Sequence, residues 1–283
     1  MSATGYQFDT LSFSSLNGFM GYGSCELAWF YSRIEKAPPD KPKGQQLVLG
    51  TAFDAAAMAA HRGTLAGERI TPDEAIGVAI DAWNAEMDTD QYETDKWSGL
   101  PGLMPSAVRQ YVMDVVPQIQ PIAVQHELRI EFAEVPWALV GKIDLLATLA
   151  QGDGEVVWDT KATAGSTKYD PDEDLQLGLY ALGRELEGHT PARVGFQVAR
   201  IQKTQARIDI SSVESTPEAR ARSMELLQDG ALSIESACVE GRFRPTARLA
   251  RSWKCSEKFC EYFPSTCPYG ARSRTAVAVD GLA

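Results

Sequence analysis

Three short stretches in the middle of the chain carry the residue types that phosphate chemistry on a bound metal ion requires. They are Gly141-Lys142-Ile143-Asp144, Trp158-Asp159-Thr160-Lys161 and Gln176-Leu177-Gly178-Leu179-Tyr180. Asp144 interrupts an apolar run from Trp137 to Leu146, and Asp159 closes Val156-Val157-Trp158. A carboxylate in a core strand is costly unless it is paired or binds a cation. Two of them, with a lysine two residues after the second, predict a metal-dependent site that acts on phosphate. The competing reading of the spacing is two edge-strand acids and a solvated lysine.

A hairpin would place these groups together. Gln151-Gly152-Asp153-Gly154 has the glycines of a tight turn. With Gly152 and Asp153 as the two loop residues, paired residue numbers sum to 305, so Asp144 faces Lys161 and Leu146 faces Asp159. Opposed residues share a face and side chains alternate with period two. Asp144, Asp159 and Lys161 therefore leave the same side of the sheet. Moving the turn to Asp153-Gly154 keeps that parity, whereas a three-residue loop breaks it unless a bulge compensates.

Periodicity and punctuation predict the elements that hold these groups. A capped helix over 12–34 carries Cys25, and a helix over 45–61 carries Gly50 and Asp54. Helices are expected at 72–88 and 104–116, separated by a polar loop around 88–101. Strands at about 127–134, 137–149 and 155–161 lead to a helix at about 172–187, where Gln176 and Tyr180 share a face. Strands near 193–201 and 205–212 precede a long helix at 217–239, and the tail after Thr275 is expected to be disordered.

In this order, Gly-Lys-Ile-Asp, Asp-Thr-Lys and Gln-x-x-x-Tyr resemble the motifs of the PD-(D/E)XK nuclease superfamily. The branch they most resemble is the RecB-like one, which includes the AddB nuclease domain and the iron–sulfur exonucleases of CRISPR adaptation. The ordered set is far more specific than a lone Asp-x-Lys, and the resemblance spans roughly residues 12 to 270. It implies an α/β, restriction-endonuclease-like core with a mixed central sheet flanked by helices. It matches Asp144 to the first acidic position, Asp159 to the second, Lys161 to the motif lysine, and Gln176 and Tyr180 to the helix after the sheet. Asp54, Asp144, Asp159 and the Thr160 carbonyl are then expected to hold one or two Mg²⁺ or Mn²⁺ ions. One departure stands out: relatives carry a metal-binding histidine four residues after a helix glycine, and here Gly50 is followed by Asp54. Aspartate is a hard oxygen ligand that suits Mg²⁺ or Mn²⁺. His61, about two helical turns further on, ranks below it as a ligand, with a surface histidine as the alternative. Glu127 resembles the acid that precedes the Gly-x-x-Asp strand, with an exposed strand-start acid as the alternative.

Four of the five cysteines make a second pattern. Cys255, Cys260 and Cys267 fall within thirteen residues, and Cys25 lies far upstream. A cytosolic cysteine cluster reads as metal-binding before it reads as disulfide. The split set resembles the four-thiolate [4Fe–4S] ligation of the branch just named, where the cluster joins the two ends of the chain. The spacing matches neither ferredoxin pattern, so the assignment rests on resemblance, and structural Zn²⁺ is the alternative. Cys238 reads as an ordinary buried thiol. The expected organisation is a helical, cysteine-clamped lobe from residues 1–44 and 241–274, a nuclease core over 45–240, and a tail at 275–283.

The chain has 283 residues and no apolar run of membrane-spanning length. The N-terminus lacks the basic start and apolar stretch of a signal peptide, so a cytoplasmic protein is expected, bacterial or from a phage in its host. Net charge is −11, yet residues 241–274 carry eight basic residues against two acids, which leaves −17 elsewhere. Aromatics interleaved with those basic residues can stack on bases or pack in a small core of their own. By resemblance, the expected activity is exonucleolytic hydrolysis of DNA from a free end, single-stranded DNA foremost. The settings are recombination, repair, phage replication or CRISPR adaptation, with a recombination or replication protein as partner. The alternatives are a catalytically silent, nuclease-fold DNA-end-binding or assembly subunit, and a sequence-specific endonuclease.

Overall fold

The computed structural model describes residues 8–21, 24–40, 44–88, 100–149, 152, 154–165, 167–202, 205–245, 255–256 and 258–269. Among these, six strands form one mixed sheet: β1 (Thr10–Ser12), β2 (Ile119–Glu131), β3 (Ala138–Leu149), β4 (Glu155–Thr163), β5 (Arg193–Ile201) and β6 (Ala206–Glu214). Its order is β1-β3-β4-β5-β6, with β2 also paired to β3. The helices are α1 (Phe13–Met20), α2 (Glu26–Phe30), α3 (Gln46–Ala66), α4 (Pro72–Met87), α5 (Leu100–Gln110), α6 (Leu175–Leu186) and α7 (Pro217–Glu240). No helix among the described residues is long and apolar enough to cross a membrane.

Pairing is antiparallel for β3–β4 and β5–β6 and parallel for β4–β5. A parallel pair needs a crossover connection, and α6 lies within it. Alternation then divides the side chains between two faces. Leu145 and Ala147 of β3, Val156 and Trp158 of β4, and Ala199 and Ile201 of β5 join one core with Phe53, Met58, Trp83 and Met104 from α3, α4 and α5. Full burial of each such large apolar side chain stabilises by roughly 1.5–3 kcal/mol. Residues 157, 159 and 161 project from the other face, where α6 packs against β4 and β5. The helix ends are specified locally. Thr71 and Glu74 form a reciprocal capping box with Pro72 in the first turn of α4. α3 ends at Gly67 in the left-handed conformation, its N–H turned back to Gly63 and Thr64 carbonyls.

Two compact units divide the chain. One comprises Met1–Pro42, Glu131–Leu139 and Gln228–Ala283, and the other Lys43–Ile130 and Val140–Leu227. Within the first, early and late segments of the chain meet. Leu27 N–H donates to the Arg244 carbonyl at 3.1 Å, and Asp40 Oδ2 accepts from the Ser265 and Thr266 amides at 2.9 and 3.2 Å. The Trp29 ring meets Phe19 edge-on at 5.3 Å and stacks with Phe243 at 6.0 Å.

Three expectations change. The helix expected over 12–34 is broken, because Gly21 leaves α1 with extended backbone and a Cβ there would lie 2.5 Å from the Asn17 carbonyl oxygen. The strand expected at 127–134 is Ile119–Glu131; Gln125, at φ +55°, breaks the alternation that would have marked one strand. The hairpin register lies two residues from the one drawn, since Leu145 faces Trp158 and paired numbers sum to 303. Six residues, Leu149–Gly154, separate the last paired residues, with Gly152 and Gly154 at positive φ. Six is even, so Asp144, Asp159 and Lys161 keep their common face. The tail after Thr275 and most of the 88–101 segment lie outside the described residues.

Gly195 sits beside Trp158 in the β4–β5 register. A Cβ there would come within 2.4 Å of the Ser211 carbonyl oxygen and 2.6 Å of the Trp158 ring. Gly195→Ala should therefore cost about 1–3 kcal/mol. Gly77→Ala in α4, where the added carbon meets nothing within 4 Å, should stabilise by up to about 1 kcal/mol. Chemical denaturation of the two variants should move the midpoint in opposite directions.

Candidate active site

The β3–β4 ladder runs from Thr148–Glu155 to Leu145–Trp158 and stops one residue short of both acids. Beyond that point a side chain takes the place of the strand, for Thr160 N–H donates to Asp144 Oδ2 at 2.8 Å. Asp159 is only 1% exposed. Gln176 Nε2 donates to its Oδ1 at 3.0 Å, and Lys161 Nζ approaches its Oδ2 at 2.6 Å. The same glutamine accepts from Lys161 at 3.2 Å through Oε1 and lies 2.6 Å from the Tyr180 hydroxyl. One amide thus ties together the second acid, the lysine and the tyrosine. Gln176 stands at the start of α6 because Asp174 caps that helix, accepting from the Gln176 and Leu177 amides at 2.9 and 3.1 Å.

Asp54 completes the group from α3. Burial raises its pKa to about 6, and the Asp159 charge adds to this against Lys161, Arg62 and Lys142. Asp144 is raised to about 7 by burial and by Asp54, with the Thr160 amide opposing. Burial also raises Asp159 to about 7, with Lys161 opposing and Asp144 adding. Burial disfavours the charge of Lys161, yet Asp159 and Asp144 raise its pKa overall. Three carboxylates therefore repel one another in a region of little water. Asp54 Oδ1 is buried and has no hydrogen-bond partner among the described residues. Hard oxygen donors with unmet charge fit a divalent ion such as Mg²⁺ or Mn²⁺. They are neighbours rather than a closed cage: among the described residues no three His, Cys, Asp or Glu side chains already enclose a single ion.

The remaining sequence candidates have other partners. Glu127 is largely exposed and pairs at 3.6 Å with Lys142, whose charge acts on Asp54. His61 is fully buried, not at the surface, and its Nε2 lies 2.7 Å from the Tyr111 hydroxyl. Sequence reasoning missed Tyr111 and its second partner Gln197, because neither residue type at those positions carries a spacing signal. It also missed Arg62, which is exposed and donates to Gln125 Oε1, and the position of Lys142 at the rim. Both cations lie close enough to Asp54 to favour its ionised form.

In the other unit, Cys25, Cys255, Cys260 and Cys267 are half-buried and line one cavity of about 260 Å³ with Trp29 and Tyr262. None of them, nor the buried Cys238 of α7, takes part in a disulfide among the described residues. Burial raises the thiol pKa of Cys255, and the charges of Cys267 and Cys25 raise it further. Two turns shape the wall: Cys260 N–H donates to the Ser256 carbonyl at 2.9 Å, and Cys267 N–H to the Tyr262 carbonyl at 2.9 Å.

A sequence profile of the PD-(D/E)XK nuclease superfamily matches residues 10–270, and the chain belongs to that superfamily. Nucleases of this class act on DNA and generally use divalent metal ions such as Mg²⁺. No curated protein matches the sequence. The fold is similar to the crystal structure of a candidate exonuclease from Eubacterium rectale, at 13% identity and a TM-score of 0.52, over 84% of this chain and 85% of that one. That likeness concerns the fold, a mixed sheet flanked by helices of the restriction-endonuclease-like kind. The crystal structure of SSO0001 aligns over 84% of this chain and 91% of its own, at 11% identity and a TM-score of 0.33.

The carboxylates dictate a pH dependence. Their raised pKa values mean that the folded chain binds protons the unfolded chain releases, from about pH 4 to about 7. This contribution to stability is present at low pH and is lost as pH rises through the folded values. In EDTA, the melting temperature of the parent should fall relative to Asp159→Asn between about pH 4 and 7 and level off above that, and Mn²⁺ should close the gap. Parallel profiles would show that the carboxylates are not coupled to folding.

Proposed function

We propose that the protein is a metal-dependent DNA exonuclease of the RecB-like, iron–sulfur kind, hydrolysing phosphodiester bonds from a free end, with single-stranded DNA the preferred form. The fork between β3 and β4 carries this reading. Two acids lie just beyond the strand pairing, a third is brought from α3, and Lys161 is held 2.6 Å from Asp159. Asp54, Asp144, Asp159 and the Thr160 carbonyl would hold one or two Mg²⁺ or Mn²⁺ ions. Such ions, when bound, supply a water of lowered pKa and a Lewis acid for the phosphate. Lys161, fixed by Asp159 and Gln176, presents a preorganised positive charge to the phosphate as negative charge develops on it. Gln176 holds that lysine and Asp159 in register. Tyr180, kept neutral by burial and by the Asp159 charge, can hydrogen-bond without adding a second negative group. Lys142 and Arg62 at the rim suit the flanking phosphates. A silent end-binding subunit would gain nothing from three desolvated carboxylates that weaken the fold at neutral pH, and Asp54 keeps a hard ligand in place of the usual histidine.

The four cysteines would bind a [4Fe–4S] cluster that clamps the lobe of residues 1–44 and 241–274, with the nuclease core over 45–240. A single zinc ion needs its sulfurs about 2.3 Å from one point. All four cysteines line one cavity, which supports a shared metal centre there, and the resemblance of the split cysteine set favours the cluster. The setting would be the cytoplasm, with a recombination, repair, phage-replication or CRISPR-adaptation protein as partner.

Two measurements test this function. End-labelled single- and double-stranded DNA should be digested from an end with Mg²⁺ or Mn²⁺ and spared in EDTA. Asp159→Ala and Lys161→Ala should each slow digestion by about 100-fold or more while remaining folded. Parental rates in both variants would remove these residues from the chemistry. For the clamp, protein purified without oxygen should be brown and carry about four irons per chain. Cys25 and Cys255 are 230 positions apart, so closing that loop is worth up to roughly 5 kcal/mol, and Cys25→Ala should be insoluble or protease-sensitive. Stoichiometric zinc in colourless protein would select the zinc alternative, and stable metal-free protein would leave the cysteines as ordinary thiols.

A further inference from the structure

Three polar side chains lie inside the apolar core on the α3 side of the sheet. His61 and Gln197 are fully buried and Tyr111 is 1% exposed, in a core otherwise built from residues such as Phe53, Ala57 and Met58. Tyr111 begins the π-helical turn Tyr111–Val115 that continues α5, His61 lies on α3, and Gln197 comes from β5. The Tyr111 hydroxyl donates to Gln197 Oε1 and lies 2.7 Å from His61 Nε2. With its own proton committed, the hydroxyl oxygen accepts from the imidazole, so His61 carries its proton on Nε2. Burial lowers the His61 pKa to about 4 and keeps the ring neutral.

Placing polar side chains in an apolar core costs about 1–3 kcal/mol for each group left unpaired. His61 Nδ1 and Gln197 Nε2 have no partner among the described residues. The location gives the network a role. Gln197 is paired in register with Thr160, whose amide holds Asp144. The Tyr111 ring meets Phe53, the neighbour of Asp54, edge-on at 5.4 Å. The tyrosine hydroxyl is also near enough to Asp54 and Asp144 for their charges to oppose its ionisation.

We infer that Tyr111, locked by His61 and Gln197, is a positioning residue that holds Asp54 and Thr160 in place for metal binding from the α3 side, as Gln176 holds Asp159 and Lys161 from the α6 side. The inference rests on the metal-site reading above. His61, seven residues after Asp54 on the same helix, then acts through the tyrosine without touching the ion.

Manganese binding to the DNA-free protein, measured by calorimetry or by loss of the free-ion resonance signal, tests it. Tyr111→Phe keeps the ring and removes the hydroxyl. It should weaken Mn²⁺ binding by roughly 10- to 100-fold, as loss of a supporting partner typically does. Its melting temperature in EDTA should fall, because His61 Nε2 and Gln197 Oε1 lose their partner, but the protein should stay folded at the temperature of the binding assay. His61→Gln, which keeps a donor for the tyrosine, should bind more tightly than His61→Leu. In DNA digestion the metal requirement of Tyr111→Phe should rise while the rate at saturating Mn²⁺ is retained. If Tyr111→Phe fails to fold, Gln197→Met leaves the ring in place and should show the same weakening. Parental Mn²⁺ affinity in a folded Tyr111→Phe or Gln197→Met protein overturns the inference and leaves the metal site standing. A parent whose Mn²⁺ binding is absent, or is unchanged by Asp159→Asn, overturns both.

Discussion

Three buried carboxylates that repel one another, with a single ammonium group among them, set the terms for the structure around the β3–β4 fork. With all four groups ionised, the charges of Asp54, Asp144, Asp159 and Lys161 sum to −2, and burial raises every one of the acids above its ordinary pKa. Core packing alone would replace such a group with apolar side chains. A divalent cation would supply the missing charge without adding bulk. The local architecture then serves to keep the acids available. Backbone pairing stops at Leu145–Trp158, so the Thr160 amide is directed to Asp144 instead of a strand carbonyl.

Precision comes from regular elements rather than loops. The lysine and the second acid are two residues apart on β4, so a strand backbone fixes their spacing. Their partner Gln176 is fixed by the Asp174 cap at the start of α6. Even the approach of α6 is set by small residues: a Cβ on Gly178 would lie 2.1 Å from the Ser223 hydroxyl of α7, and one on Gly183 2.8 Å from Leu128. Enlarging either glycine would push the Gln176 amide away from Asp159, a displacement on the scale that matters for catalysis.

The parity of the two strands was legible in the sequence although their register was not. The glycines of residues 151–154 mark a turn, and any even loop keeps Asp144, Asp159 and Lys161 on one face. Register depends on how many residues the loop consumes, and Gly152 and Gly154 both take positive φ where a two-residue turn had been expected. Gln125 hid the first half of β2 in the same way, because one left-handed residue shifts the alternation by which a strand is recognised. Single polar residues in a helix or strand pattern are harder still. Nothing local distinguishes Tyr111 from a core aromatic, and its partners are 50 and 86 residues away in the chain. The cysteines were readable because reactive residue types clustered in sequence before the fold brought Cys25 to them.

Charge distribution bears on the proposed function in a way that the site alone does not. A chain of net charge −11 repels long polyanions, and the site itself adds buried acids. Among the described residues, the cations near Asp54 are Lys161, Lys142 and Arg62. Each phosphate contact contributes to the salt dependence of binding, so a short contact set gives weak affinity for duplex interiors and little tendency to coat DNA. Among the described residues, such a distribution suits brief contact with DNA rather than extended coating. A clamp holding many phosphates would need a basic track, and most of the basic residues of the 241–274 segment, Arg248, Arg251, Lys254, Arg272 and Arg274, lie outside the described residues. The placement of those five side chains is therefore the physical variable that separates release after each cut from continuous tracking along a strand.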